Sequence, residues 1–305
     1  MENKLYGNTI ENVVIESKKE LEHYYVANSN TTLVLYNRKT KCTMVCFAHN
    51  NKTPILNIEI IEHNEENVPL INLCNANFVY NFEDNGDKFY LIGGRLYIGN
   101  IVFKNSTLTQ WINYTSVWCF SQNKNTKKWE WCEYPQSISP KQSCDFSICY
   151  SEILKSFVIF GGFSYDNDMT KLENSIWFFS TLEKKWIIDK NLLLLSFTTN
   201  IPQKRRNCLI SCHNYNVLIF SGNSETNEIL YDTWLLNFDY NNINFGWKKI
   251  GDQTDKETKN NFDINYTTLY YDNTINDFII NYNFLVYYKF NKFIENWEII
   301  YIDNK

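Results

Sequence analysis

The sequence predicts an all-β chain built by repeating one small antiparallel sheet. Three observations lead there. Short runs of Val, Ile, Tyr, Phe and Trp, bounded by Asn, Asp, Ser or Gly, dominate the 305 residues. No segment sustains an apolar period of about 3.6, so helices are few. One strand-plus-glycine signature recurs at a nearly constant interval.

The signature is a hydrophobic strand that ends in small residues. It reads Phe89-Tyr-Leu-Ile-Gly93-Gly94, Phe157-Val-Ile-Phe-Gly161-Gly162 and Val217-Leu-Ile-Phe-Ser221-Gly222. Two further copies keep the strand and lose the glycines, at His23-Tyr-Tyr-Val-Ala27-Asn28 and Phe278-Ile-Ile-Asn-Tyr282-Asn283. The five ends, at 28, 94, 162, 222 and 283, are 66, 68, 60 and 61 residues apart. Five repeats of that length use the whole chain. Glycine suits the strand end because it turns with φ > 0 at no steric cost.

A second signal runs in register with the first. Each small-residue pair is followed by an aromatic strand, a polar turn, and a strand opening on Trp. The pairs are Trp118 with Trp129, Trp177 with Trp186, and Trp234 with Trp247, at spacings of 11, 9 and 13 that suit hairpins. The fifth repeat has Val286-Tyr-Tyr and then Trp297. In the first repeat, Leu33-Val-Leu-Tyr36 and Cys42-Thr-Met-Val-Cys46 take those third- and fourth-strand places.

These features together resemble the kelch repeat, strongly over 74–250 and more weakly at both ends. The resemblance implies an all-β kelch-type β-propeller of four-stranded antiparallel blades, in which aromatics fill the wedges between neighbours. It implies one propeller domain over 1–305, with repeats near 10–48, 73–133, 144–189, 206–250 and 263–302. Kelch rings usually have six or seven blades, whereas five repeats are visible here. The run Ile55-Leu-Asn-Ile-Glu-Ile-Ile61 has no assigned place and either extends blade one or marks a decayed sixth blade, so five or six blades both stand. An alternative register starts the first blade at His23 and leaves Asn12 to Glu16 as a spare strand.

Composition narrows the function classes. Aromatics make up 17% of residues, against only 10 Gly and 5 Pro, which gives ample apolar area for a core and excludes a disordered or collagenous chain. A balance of 29 basic to 34 acidic residues offers no electrostatic case for nucleic acid or an anionic membrane. The N-terminal residues lack an apolar leader, and the longest aliphatic run, Leu192 to Leu195, is far too short to cross a bilayer. Nine Cys, several inside apolar strands, read as reduced thiols, so a cytoplasmic or nuclear setting is expected.

In an up-and-down blade, loops alternate between two faces. The first-to-second and third-to-fourth turns, such as 151–155, 181–185 and 213–216, are short. The second-to-third connections 95–115, 163–174 and 223–232 are two to four times longer, as are the inter-blade connections 50–72, 133–144, 189–206 and 250–263. Long loops on a rigid ring are common binding sites; insertion drift in an Asn-rich chain is the competing explanation. Candidate partner-binding residues on that face are Arg95, Tyr97, Trp111, Tyr165, Asp166, Arg205 and Arg206, because Trp, Tyr and Arg dominate interface hot spots. Trp111 lies outside both repeated Trp positions and reads equally as a plug over a blade edge. For Lys204-Arg205-Arg206, a structural Arg bonded to neighbouring carbonyls and an anchor for an acidic peptide both stand.

Catalytic motifs are missing. No G-x-x-x-x-G-K, G-x-G-x-x-G or G-x-S-x-G occurs. Cys208-x-x-x-Cys212-His213 and Cys42-x-x-x-Cys46-x-x-His49 lack the tight pairing of a zinc site and read as core cysteines. Asp166-Asn167-Asp168 reads as a solvated turn. Galactose-oxidase-like enzymes share the kelch architecture, but their ligand set cannot be carried onto His23, His49, His63 and His213, the four histidines present. The expectation is a non-catalytic protein-interaction module or scaffold, with no cofactor and no metal. The alternative is a propeller enzyme or small-molecule binder using the central channel.

Overall fold

The structure, a computed structural model, describes residues 24–29, 32–48, 56–63, 67–69, 73–83, 86–103, 106–114, 116–166, 169–187, 200–239, 246–252, 267–282, 286–291 and 296–302. Among them there are strands and turns and no α-helix. The run Asn12 to Glu16, His23, His49, Asn167 and Asp168 lie outside the described residues.

The strands form five four-stranded antiparallel sheets, one after another along the chain. Sheet 1 is β1 (Tyr24–Asn28), β2 (Thr32–Asn37), β3 (Cys42–Ala48) and β4 (Leu56–Glu62). A two-residue strand, β5 (Leu73–Cys74), lies in the connection that follows. Sheet 2 begins with β6 (Asn77–Glu83) and β7 (Gly86–Ile92). A hairpin of β8 (Arg95–Phe103) and β9 (Ser106–Asn113) intervenes before β10 (Val117–Gln122) and β11 (Trp129–Tyr134) complete it. After β12 (Gln142–Cys144), sheet 3 starts with β13 (Ser147–Ser151) and β14 (Ser156–Phe160). A second hairpin, β15 (Phe163–Asp166) and β16 (Met169–Leu172), precedes β17 (Ile176–Ser180) and β18 (Lys185–Ile187). Sheet 4 is β19 (Leu209–His213), β20 (Asn216–Phe220), β21 (Asp232–Asn237) and β22 (Gly246–Asp252). Sheet 5 is β23 (Thr267–Asp272), β24 (Asp277–Tyr282), β25 (Val286–Asn291) and β26 (Asn296–Ile302).

The chain divides into two compact units. One comprises Met1–Ile92 with Ser116–Pro135 and holds sheets 1 and 2; the other comprises Gly93–Thr115 with Gln136–Lys305 and holds sheets 3 to 5 and both hairpins.

Sheet 1 departs from the first register and agrees with the alternative one, in which the first blade starts at the His23 run. Tyr24 to Asn28, first matched with the second strands, form the first strand, β1. Leu33 to Tyr36 is the second strand rather than the third, and Cys42 to Cys46 is the third rather than the fourth. Within the unplaced run, Leu56 to Ile61 belong to the fourth strand, β4, which pairs along its length with β3 and so extends sheet 1. Burial explains the choice. Thr32 to Tyr36 are all buried, as an interior strand packed on both faces requires, whereas β1 is mostly half-exposed.

Sheet 2 corrects a tryptophan. In the other sheets the fourth-strand Trp pairs opposite an apolar third-strand residue: Trp186 with Phe179, Trp247 with Leu236 and Trp297 with Phe290. The register equivalent in β11 is Trp131, opposite Phe120, not Trp129. Trp129 lies two residues before it on the same buried face, opposite Gln122, and is the first Trp met along the chain.

Sheet 4 shows how alternation builds the core. Val217, Ile219, Trp234, Leu236 and Trp247 face sheet 3 and cluster with Val158, Phe160 and Phe178. Their neighbours Leu218, Phe220 and Ile250 face sheet 5 and cluster with Phe278, Ile280 and Phe290. Both faces are therefore buried, which is why these strands read as continuous apolar runs.

The paired glycines have a second task besides turning. At Gly161, with φ 69°, a Cβ would sit 2.4 Å from the Arg205 carbonyl oxygen, and at Gly162 one would sit 2.6 Å from the Cys144 oxygen. Only glycine lets the connection entering sheet 4 pass this close, and Gly162 N donates to Arg205 O at 2.8 Å.

Candidate functional site

The long second-to-third connections after β7 and β14 are not irregular loops. They are the β8–β9 and β15–β16 hairpins, and β12 pairs with β15 to make a three-stranded sheet ordered β12-β15-β16. Within the second unit, β15 lies against β9, and Asn113 Nδ2 donates to the Lys141 carbonyl at 3.1 Å, tying the hairpin to the segment before β12. The 223–232 connection stays irregular, but its backbone pairs Arg206 and Ile229 with Asn223.

The seven candidate residues fall into three places. Arg95 stands half-buried at the root of the β8–β9 hairpin, and Tyr97 sits opposite Trp111 across it, just before a bulge between Tyr97 and Gly99. Tyr165 pairs with Thr170 and Asp166 with Met169 at the end of the second hairpin. Arg205 and Arg206 enter sheet 4.

Those two arginines differ. Arg205 has a fully buried side chain, so it is withdrawn from any partner surface. Its guanidinium grips the Asp232 carboxylate with both terminal nitrogens, at 2.6 and 2.9 Å, and also donates to Ser221 O at 2.9 Å and Gln203 O at 3.0 Å. Burial alone would raise the Asp232 pKa. The Arg205 hydrogen bonds and charge, with the Trp234 indole N–H at 2.7 Å, outweigh it and hold the carboxyl below its ordinary range. The bidentate fork is the geometry that makes such a pair rigid. Of the two readings of Lys204-Arg205-Arg206, the structural one fits Arg205.

Arg206 is partly exposed and braces the hairpin. It lies over the Phe163 ring at 4.9 Å, pairs with Asp145 at 3.3 Å and donates to Asn227 Oδ1 at 2.8 Å. Phe163 opens β15, so Arg206 fixes the hairpin root against the connection carrying Asn227. The structure thus brings Arg206 to Phe163 at the root of the hairpin that carries Tyr165 and Asp166, and buries Arg205.

The cysteine–histidine motif disperses. Cys208 is buried, accepts a hydrogen bond at its carbonyl from Ser147 Oγ, and donates from its thiol to Ser147 Oγ at 3.1 Å. Cys212, a free thiol, shares hydrogen bonds with Cys149 and Ser151, while the His213 ring stacks flat on Tyr271 with centroids 3.5 Å apart and an interplanar angle of 3°. Among the described residues no group of three His, Cys, Asp or Glu side chains is placed to hold a metal ion.

One feature escaped the sequence reading. A cavity of about 490 Å³ opens between sheets 4 and 5 at the end carrying the short turns 213–216 and 271–276. Its signal is a register row, His213, Asn216, Asn237 and Gly246, which runs across all four strands of sheet 4. Separately along the chain these residues look like ordinary turn residues.

No family model matches the chain, and no curated protein matches its sequence. Among solved structures, that of YjhT superposes with a TM-score of 0.50 at 12% identity, over 85% of this chain and 71% of that one. The likeness is one of fold. It identifies the chain as a β-propeller-like all-β protein. No helix among the described residues is long and apolar enough to cross a membrane.

Proposed function

We propose that this β-propeller-like chain is a divergent kelch-type propeller that acts as a non-catalytic protein-interaction module or scaffold. The partner engages the surface of the second-to-third connections. The observation that carries the reading is their order: two connections expected as loops are paired β-hairpins, and Arg206 lies over Phe163 at the root of one of them while it is held by Asp145 and Asn227. A preorganised ribbon loses little conformational entropy on binding, which favours a recognition role over insertion drift. The end strand of the β12-β15-β16 order, β16, also supplies a backbone edge suited to strand addition by a partner. All nine cysteines are free thiols, which supports a reducing compartment such as cytoplasm or nucleus.

The test shortens the second hairpin. Residues 165–170 are replaced by Asn-Gly, which suits a two-residue hairpin turn and leaves sheet 3 intact. Affinity capture from the native cell should return a partner with the wild-type chain and lose it with the shortened chain, at an unchanged melting temperature. Retention of the same partner by the shortened chain would refute the assignment.

A further inference from the structure

The cavity between sheets 4 and 5 exists because sheet 4 fills its two wedges differently. Toward sheet 3, the mouth is plugged by Phe238, which packs on Phe178 at 6.1 Å and on Tyr215 at 5.7 Å. Toward sheet 5, the preceding residue in the alternation is Asn237, and its neighbour across the register is Gly246, with no side chain at all. The wedge is left open over a floor that includes Leu218, Phe278 and Phe290. Its volume, about 490 Å³, falls within the usual range for small-molecule sites, about 300–1,000 Å³.

The polarity of the rim can be read from its hydrogen bonds. Asp239 N donates to Asn237 Oδ1 at 3.0 Å, and a backbone N–H can only donate. That fixes the Asn237 amide, so its Nδ2 donates to Asn216 Oδ1 at 3.2 Å. Asn216 is fixed in turn, with its oxygen occupied and its NH₂ group as its remaining hydrogen-bonding end. Tyr271 O–H donates to Asn276 Oδ1 at 2.7 Å, which orients the second rim amide in the same sense. Lys248, exposed on β22, brings a positive charge to the same rim, and the described lining contains no carboxylate. The His213 and Tyr271 rings, stacked face to face, supply a flat wall. The rim therefore offers donors and positive charge over an aromatic and aliphatic floor.

We infer that this inter-sheet cavity binds a small organic anion with a flat apolar body, its anionic group held by Asn216 Nδ2 and Lys248 and its body seated on Phe278 and Phe290. The site is separate from the hairpin surface and does not depend on it. It lies between sheets 4 and 5.

The probe is 8-anilinonaphthalene-1-sulfonate, an aromatic anion of suitable size, compared with uncharged N-phenyl-1-naphthylamine. Titration of the full chain should give one sulfonate site, with amide shifts in the ¹⁵N spectrum centred on Asn214, Asn216, Gly246 and Lys248. Asn216→Asp keeps an acceptor for Asn237 Nδ2 but replaces the donor with negative charge. It should weaken the sulfonate by about tenfold or more and leave the uncharged amine within about twofold. Lys248→Gln, at an exposed position, should cost the sulfonate about fivefold. Sulfonate binding unchanged in both variants, an uncharged amine that binds as tightly as the sulfonate, or amide shifts centred elsewhere would each overturn the inference.

Discussion

The Trp297 indole N–H donates to the Thr233 hydroxyl at 2.9 Å, from the fourth strand of sheet 5 to the third strand of sheet 4. The same bond recurs between sheets 2 and 1, where Trp131 Nε1 reaches Thr43 Oγ1 at 3.1 Å. Each of these tryptophans also packs on a second-strand aromatic of the preceding sheet, Trp297 on Phe220 and Trp131 on Tyr36. The repeat is thus a stacking rule between sheets as well as a pattern along the chain. Thr233→Val keeps the shape but orphans a buried indole N–H, so it should destabilise by about 1–3 kcal/mol. Adding Trp297→Phe should cost less than the sum of the two single changes, as a double-mutant cycle in urea will show.

Glycine at 161 is required by contact as well as by conformation. Gly161→Ala should destabilise by more than the roughly 1–2 kcal/mol of a left-handed alanine, because its methyl meets the Arg205 carbonyl oxygen at 2.4 Å. Gly86→Ala is the control. Its nearest atom, Glu83 O, is 3.9 Å away, so the melting temperature should barely move.

The Arg205–Asp232 pair sets an acid limit. The folded Asp232 carboxyl lies below its ordinary value of 3.8, so the unfolded chain takes up the proton first as pH falls. The pair's contribution is fully present above that value and is lost as pH drops through the folded one. Arg205→Met leaves a mostly buried carboxylate unpaired and should cost about 3–5 kcal/mol at pH 7, with a flatter stability profile below pH 4. Chemical denaturation at pH 7 and pH 3 measures both.

His63 acts in a higher window. Burial lowers its pKa below the ordinary 6.5, and its Nε2 meets Thr43 Oγ1 at 2.8 Å, the hydroxyl that also accepts from Trp131. The folded chain keeps this ring neutral while the unfolded chain protonates near 6.5. Stability should therefore fall as pH drops below about 6.5. His63→Gln should remove that slope between pH 7 and 5.5 without altering the slope due to Asp232.

Thiol reactivity follows burial. Cys132 is exposed, whereas burial pushes Cys119 up to about 11 and raises Cys208. Ellman's reagent on the native chain at pH 8 should label Cys132 first, and Cys132→Ser should remove the fast phase.

The strands ending in Gly93-Gly94, Gly161-Gly162 and Ser221-Gly222 were legible because one physical need, a close-approach turn, imposes one residue type. Sheet 1 lacks that marker, so two registers stood, and burial of Thr32 to Tyr36 on both faces selects the one that starts at the His23 run. Trp131 was hidden by Trp129, which stands two residues before it on the same buried face. The hairpins β8–β9 and β15–β16 were missed because each is inserted between the second and third strands of its sheet, where the repeat calls only for a connection. Arg205 was legible as an important residue, but its burial depends on Asp232, 27 residues on. The Asn216–Asn237–Gly246 row exists only in register, so no linear reading reaches it.

The central claim is that a partner meets the hairpin surface rather than the short-turn end. A photo-crosslinking residue placed at Lys171, exposed on β16, is compared in the native cell with one at Leu182, which is 70% exposed on a short turn. The account predicts a discrete crosslinked species from position 171 and none from 182. A partner crosslinked from 182 and absent from 171 would contradict it.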